Sequence, residues 1–357
     1  MRARAAAIWG STLGRHLVLT LAALVVLVVV LESVSDYRNT QLAAMAYLGI
    51  AAGGLTVLTG TNGQLSLGHG ALMAVGAYTA ALLLPERDSG MPLSVVVVAA
   101  VLTTLAVGTV VGLAAARLHG PYLAGATLAL AVAVPGIALY FKQTLGGEQG
   151  LRVVMPEIPV WVLDVAFFVT GQELTRSRFT AYVGWLTLIV VYLLLANLGA
   201  GRTGRRWRAV RDAEVAAELA GIDLGRARVS AFMVSAAAAG AAGAIVAFTV
   251  KLAAPSAFTL TLSLTLLAAI VLGGLGSLTG ALLGAGLLTF LPGIVTDLGR
   301  GAGLDDIRAA ELAPLVYGLV TVAVILLAPA GIVGSLRGAL ARRRSTHRTT
   351  SSKGTSA

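Results

Sequence analysis

Leu93-Ser-Val-Val-Val-Val-Ala-Ala-Val-Leu-Thr-Thr-Leu-Ala-Val-Gly-Thr-Val-Val-Gly-Leu-Ala-Ala-Ala116 contains no charged side chain. About 20 consecutive apolar residues in a helix cross the hydrocarbon core of a bilayer, so this run reads as a membrane span. The same pattern recurs on both sides of it. Ten candidate segments can be marked, at 17–31, 41–59, 64–84, 93–116, 121–141, 181–198, 229–251, 261–275, 277–292 and 312–328. Across all 357 residues, 57% are hydrophobic and 12% charged. Soluble domains carry roughly 25% charged residues. The chain therefore reads as an all-α polytopic membrane protein with about ten transmembrane or partly re-entrant helices. An ordinary soluble enzyme, a disordered chain and a nucleic-acid-binding domain are excluded. The net charge of +10 sits in short segments between the apolar runs.

Charge also gives the sidedness. With the N-terminus inside, the inside segments hold 17 basic and four acidic residues, and the outside segments nine and twelve. An excess of Lys and Arg marks the cytoplasmic side. Both termini are thus expected in the cytoplasm, which requires an even number of crossings. The first run, 17–31, lacks a small-residue cleavage site after it, so an uncleaved span is expected over a signal peptide. Segments 64–84 and 261–292 are short or Gly-interrupted, which suits broken or re-entrant pieces packed inside protein. Residues 142–180 fall outside, with Trp161, Phe167 and Phe168 as interface anchors. Residues 1–335 read as one membrane domain, and 336–357 as a basic, disordered cytoplasmic tail.

Several chemistries are missing. There is no cysteine, and the four histidines are scattered, so no metal or thiol site is expected. No phosphate-binding GxxxxGK[ST] loop occurs. Acidic residues lie almost wholly outside the marked spans, where an ion-coupled carrier would need them. No catalytic residue, cofactor or metal is assigned to the chain.

The inside loop 199–228 stands out. From Arg205 to Ala220 it holds helix formers without Pro, bracketed by Gly204 and Gly221. A single helix is expected there, with Gly221 as its C-terminal cap and Arg208 paired to Asp212. Val215, Leu219 and Ile222 add an apolar stripe suited to docking in a partner's groove.

The stretch Arg208-Ala-Val-Arg-Asp-Ala-Glu-Val-Ala-Ala-Glu-Leu-Ala-Gly-Ile222 resembles the cytoplasmic coupling segment of branched-chain amino acid ABC transporter permeases of the LivM type. Other blocks follow the same order: Gly63-Gln-Leu-Ser-Leu-Gly-His-Gly70, Arg117-Leu-His-Gly-Pro-Tyr-Leu-Ala124, Gly146-Gly-Glu-Gln-Gly-Leu151, Leu272-Gly-Gly-Leu-Gly-Ser-Leu-Thr-Gly280 and Ala328-Pro-Ala-Gly-Ile-Val-Gly334. Glu148-Gln149 departs from the family's usual Ser/Thr-Asn pair.

The resemblance implies a permease subunit of an ATP-driven importer in the bacterial inner membrane. Its expected partners are a second permease subunit, two cytoplasmic ATPases that use ATP and Mg, and an extracytoplasmic solute-binding protein; nucleic acid is not among them. Arg208, Arg211, Glu214, Glu218 and Gly221 would couple to the ATPase. Gln64, Ser66 and His69 are candidates for the pathway or a gate, with Ser66 and His69 expected on one helix face; interhelical hydrogen bonding is the competing role. Gly273, Gly274, Gly276, Gly280 and Gly284 are candidates for close helix packing or a hinge. Urea or short-amide importers, sugar or nucleoside importers, and a solitary carrier or channel remain the alternatives.

Overall fold

The computed structural model describes residues 12–85, 91–118, 121–328 and 331–335. The expected tail at 336–357 lies outside them. Thirteen helices are labelled here: α1 (Thr12–Ser33), α2 (Asp36–Leu55), α3 (His69–Leu83), α4 (Leu93–Ala115), α5 (Pro121–Tyr140), α6 (Val160–Thr170), α7 (Arg176–Ala200), α8 (Arg202–Asp212), α9 (Glu214–Leu219), α10 (Leu224–Val250), α11 (Leu260–Gly273), α12 (Leu278–Gly301) and α13 (Asp306–Leu327). Among the described residues, eight helical stretches are long and apolar enough to cross a membrane: 36–61, 93–115, 122–140, 176–200, 224–250, 255–273, 278–301 and 306–324. Three apolar helices are shorter, Ala23–Ser33, His69–Leu83 and Val160–Thr170.

Helix α10 is the axis of the molecule. It packs against α2, α3 and α4, and most of its residues are buried. Its buried face is made of small side chains, including Ala231, Ala236, Ala239, Ala242 and Gly243. Lipid tails give no hydrophobic push between helices, so membrane helices associate by close van der Waals contact between small residues. The contact here reaches backbone level: a Cβ on Gly76 would lie 2.3 Å from the Gly240 carbonyl oxygen.

Segment 64–84 is broken, as its short, Gly-interrupted sequence suited. Residues 63–66 have no regular secondary structure, and α3 begins only at His69. Other helices satisfy backbone donors around the break: Leu67 N–H, just before α3, donates to Thr127 Oγ1 at 3.0 Å, and Gly70 N–H, in the first turn of α3, to Ser263 Oγ at 2.9 Å. Ser66 therefore precedes the helix and shares no helical face with His69. Residues 142–180 carry short elements of their own. They hold a two-residue strand β1 (Leu151–Arg152) paired antiparallel to β2 (Leu252–Ala253), in register Leu151 with Ala253, and the short helix α6. Trp161, Phe167 and Phe168 all lie on α6 and are exposed.

The connections sort to two ends. At one end, Arg211 Nη1 donates to the Gly60 carbonyl, Arg228 to the Ala116 carbonyl, and the turn at Gly276 touches Gly60. At the other, Arg178 pairs with Glu32 at 2.7 Å, Thr175 Oγ1 donates to Asp36 at 2.7 Å, and Val153 N–H donates to the Lys251 carbonyl. Among the described residues, the connections at 60–63, 117–118, 199–228 and 276 that charge counting assigned to the inside cluster at the first end.

Candidate functional site

The Arg-rich connection between α7 and α10 is folded tightly onto that first end. Helix α8 starts at Gly201, which is extended and leaves its neighbours free to turn. Gly204 then lies against the backbone of Gly199, where a Cβ would come within 2.1 Å of the Gly199 carbonyl oxygen. Trp207 and Val210 are buried beneath the helix, and the Trp207 indole N–H donates to Ser230 Oγ at 3.0 Å. Arg205 and Arg206 stay exposed.

The expected single helix from Arg205 to Ala220 is in fact two. Ala213 is extended (φ −159°, ψ 96°), and α9 starts afresh at Glu214. Tertiary contacts override helix propensity at this point. The break lets Glu214 reach Arg228 at the foot of α10, at 2.7 Å. Arg228 is buried and Glu214 half-exposed. The expected Arg208–Asp212 pair is absent as well. Arg208 donates to the Gly199 carbonyl at 3.0 Å, and Asp212 pairs with its neighbour Arg211 at 2.8 Å. Arg211 also donates to the Gly60 carbonyl at 2.6 Å.

Glu218 is exposed, as are Val215 and Leu219, at 72% and 85%. Gly221 has φ +81°, a left-handed conformation that glycine adopts without a Cβ penalty. There Gly221 N–H donates to the Glu218 carbonyl and Ile222 N–H to the Ala217 carbonyl.

Arg211 and Glu214 thus engage two elements. Gly60 belongs to a π-helical turn, Thr56–Thr61, that ends α2 and leads into the irregular stretch. Gln64 lies in that stretch, and its amide donates to the Arg228 carbonyl at 3.1 Å and to Asn62. Ser66 Oγ accepts from Gly68 N–H. His69 is fully buried, its ring edge facing Gly54. The structure therefore brings Gln64 to the coupling segment through Arg228 and leaves His69 deeper in the bundle.

The glycines at 273–284 form a tight helical hairpin. Gly274 and Gly276 have positive φ and make the turn. Gly276 is thus not on a helix, and the expected close-packing repeat from Gly276 to Gly280 does not exist. Gly280 and Gly284 do share a face of α12, against α11: a Cβ on Gly284 would lie 2.1 Å from the Ala269 carbonyl oxygen.

Sequence reasoning missed Gly60, Arg228 and Trp207. A tryptophan amid arginines was a usable sign of a buried anchor. Nothing local marked Arg228, whose partners lie at positions 64, 116 and 214.

The sequence comparisons supply the family. A family model described as a branched-chain amino acid transport system permease component matches residues 39–328. The chain belongs to this family. The high-affinity branched-chain amino acid transport system permease protein LivM of Salmonella typhimurium is 32% identical over 306 residues, covering 82% of this chain and 71% of that protein. LivM of Escherichia coli is 32% identical over 308 residues, with the same coverage. LivH of Escherichia coli is 24% identical, covering 79% of this chain and 89% of its own. Membership makes the chain a multi-pass permease subunit of an ABC importer in the bacterial inner membrane, with a transport role. Such importers work with ATPase and binding-protein partners.

Proposed function

We propose that the chain forms, with a second permease subunit, the pathway by which branched-chain or chemically related amino acids enter the cell. Two cytoplasmic ATPases drive it, and they, not this chain, bind ATP and Mg. An extracytoplasmic solute-binding protein delivers the solute. The Arg-rich end is the cytoplasmic one, by the positive-inside rule.

The observation that carries this reading is the α8–α9 segment. It presents Val215, Glu218 and Leu219 outward while Arg208, Arg211 and Glu214 grip α7, the π turn and α10. A rigid body that docks on a partner and holds three helices can pass a partner's motion to the spans. No bond of the solute is made or broken.

The test is uptake by vesicles containing all the transporter's subunits, with labelled leucine, urea and a sugar offered in turn. ATP-dependent leucine uptake that disappears without this chain is the expected result. Uptake of urea or a sugar alone would change the cargo. Uptake by this chain alone, without ATP, would overturn the mechanism.

A further inference from the structure

Helices α7 and α12 both pack on α2 and leave a groove of about 570 Å³ between them, closed on one side by α1. Val26 and Val30 on its wall are 61% and 37% exposed, so it lies on the outer surface of the bundle. A second cavity, of about 400 Å³, lies at the Arg-rich end between the π turn of α2, the last turn of α7, helix α8 and the start of α12. Ala196 and Thr279 line both, so the two form one continuous trough. Its two halves differ in chemistry. Apart from Thr279 at the junction, the groove is apolar; Trp185 and Tyr192 donate their polar hydrogens to the Leu42 and Gly49 carbonyls, at 3.0 and 2.9 Å. The other half is lined by Arg208, Ser277 and Thr279, with no Asp or Glu among the described residues.

Charge and length say what the trough holds. The connection 199–228 has seven arginines. Arg211, Arg226 and Arg228 each hold a carboxylate, at 2.8, 3.1 and 2.7 Å. Arg202, Arg205, Arg206 and Arg208, all on α8, hold none among the described residues. Arg205 and Arg208 donate to the Ala200 and Gly199 carbonyls, at 3.3 and 3.0 Å, and both those residues line the polar cavity. A guanidinium has five N–H donors, so each retains donors for an anion at the rim. The positive-inside rule accounts for arginines in this connection, not for gathering the unpaired ones beside a groove. Along α7 the groove runs from Trp185 to Ala196, about 16 Å at 1.5 Å per residue. The hydrocarbon of one leaflet is about 15 Å thick, half of a core of about 30 Å.

We propose that the trough binds one anionic phospholipid of the leaflet at the Arg-rich end. Its phosphate meets Arg208 and Thr279, and one acyl chain lies along α7 between α1 and α12. Arg202 and Arg206, exposed on the same helix, favour a headgroup of net negative charge. A free phosphate would use the polar cavity alone; the apolar continuation past Ala196 is what a lipid needs. A larger groove, of about 630 Å³ between α4, α7 and α10, is as apolar, but no charged side chain lines it, so it has no place for the headgroup. Arg208 sits on α8, so a bound lipid ties the coupling segment to α7 and α12.

The test is native mass spectrometry of the full transporter complex, stripped of lipid in detergent and titrated with phosphatidylglycerol and with zwitterionic phosphatidylcholine. Phosphatidylglycerol should bind saturably and at least about fivefold more tightly. Arg208→Gln should weaken it about tenfold, as loss of a charge-assisted contact requires. Ala196→Phe, which fills the junction of the two cavities, should weaken it at least as much, and Val98→Phe, in the larger groove, should leave it unchanged. Glycerophosphate should not compete. The same spectra show whether each variant keeps its subunits, and Ala196→Leu replaces Ala196→Phe if that one does not. Equal affinity for the two lipids, wild-type binding in both Arg208→Gln and the Ala196 variant, an equal loss in Val98→Phe, or displacement by glycerophosphate would each overturn the proposal. So would the absence of saturable binding, which would give the groove to a helix of another subunit.

Discussion

Glu214→Gln should uncouple transport without dismantling the protein. Glu214 holds Arg228 at 2.7 Å, with side-chain exposures of 49% and 7%. Breaking a fully buried pair by removing one partner costs about 3–5 kcal/mol. A fully exposed pair is worth roughly 0.2–1 kcal/mol. One buried and one half-exposed partner put this pair between the two, at about 1–2 kcal/mol, which is on the order of tenfold in the population of the closed latch. Gln keeps the size and one acceptor, so helix α9 should survive. The assay is the number of solute molecules imported per ATP hydrolysed in reconstituted vesicles. That ratio should fall by about tenfold, with ATPase binding retained. A double-mutant cycle with Arg228→Gln separates this contact from general damage. Non-additivity of about 1 kcal/mol or more is expected, since the two residues touch. Wild-type stoichiometry in Glu214→Gln, or effects that add to within about 0.5 kcal/mol, would refute the latch.

Gly284→Val should separate α11 from α12, because the new Cβ meets the Ala269 carbonyl oxygen at 2.1 Å and backbone cannot give way; we expect about 1–3 kcal/mol of destabilisation, read as a lowered unfolding midpoint. Gly136→Ala serves as its control, since a Cβ there meets nothing within 4 Å and the midpoint should not move. Glu32→Gln should loosen α1 from α7 at the end opposite the Arg-rich one. It removes the carboxylate that accepts from Arg178 at 2.7 Å and from Tyr182 at 2.8 Å. The loss should be about 2–4 kcal/mol, given side-chain exposures of 10% and 14%; an unchanged midpoint would mean the pair is replaced by water at no cost.

The spans were legible because the bilayer imposes a simple rule. A helix that crosses it must be long, apolar and internally hydrogen-bonded, and 93–116 meets every condition in sequence alone. What was not legible depends on distant partners. Helix α6 has 11 residues, lies between Pro159 and Gly171, and carries Asp164, so it falls below the length at which composition distinguishes a span. The irregular stretch before His69 and the first turn after it are anchored from far away: Thr127, 60 residues off, accepts from Leu67 N–H, and Ser263, 193 residues off, accepts from Gly70 N–H. The break at Ala213 is similar: an Ala in an Ala- and Glu-rich run predicts helix, and the partner that Glu214 meets beyond the break, Arg228, lies on another helix. The candidate charges Arg208, Arg211 and Glu214 were visible as charges, but their partners, a carbonyl at Gly199, another at Gly60 and a buried arginine, were not.

These partners also suggest where motion can occur. The block formed by α2, α3, α4 and α10 meets at backbone distance: a Cβ on Gly243 would lie 2.0 Å from the Met73 carbonyl oxygen, and one on Gly108 2.2 Å from the Ala236 Cβ. Close-packed interfaces of this kind have low compressibility and transmit displacement. They cannot themselves supply a hinge. The elements joining this block to the coupling segment are another matter. The π turn at Thr56–Thr61, the irregular stretch through Gln64 and the Gly274–Ser277 turn all depart from regular α-helix. All three meet at Gly60, Gly276 and Arg211. A pull on α8–α9 therefore acts first on the irregular backbone at the Arg-rich end. It reaches the rigid block through Arg228 and Gln64, so the block should swing as a unit about that end, and not deform.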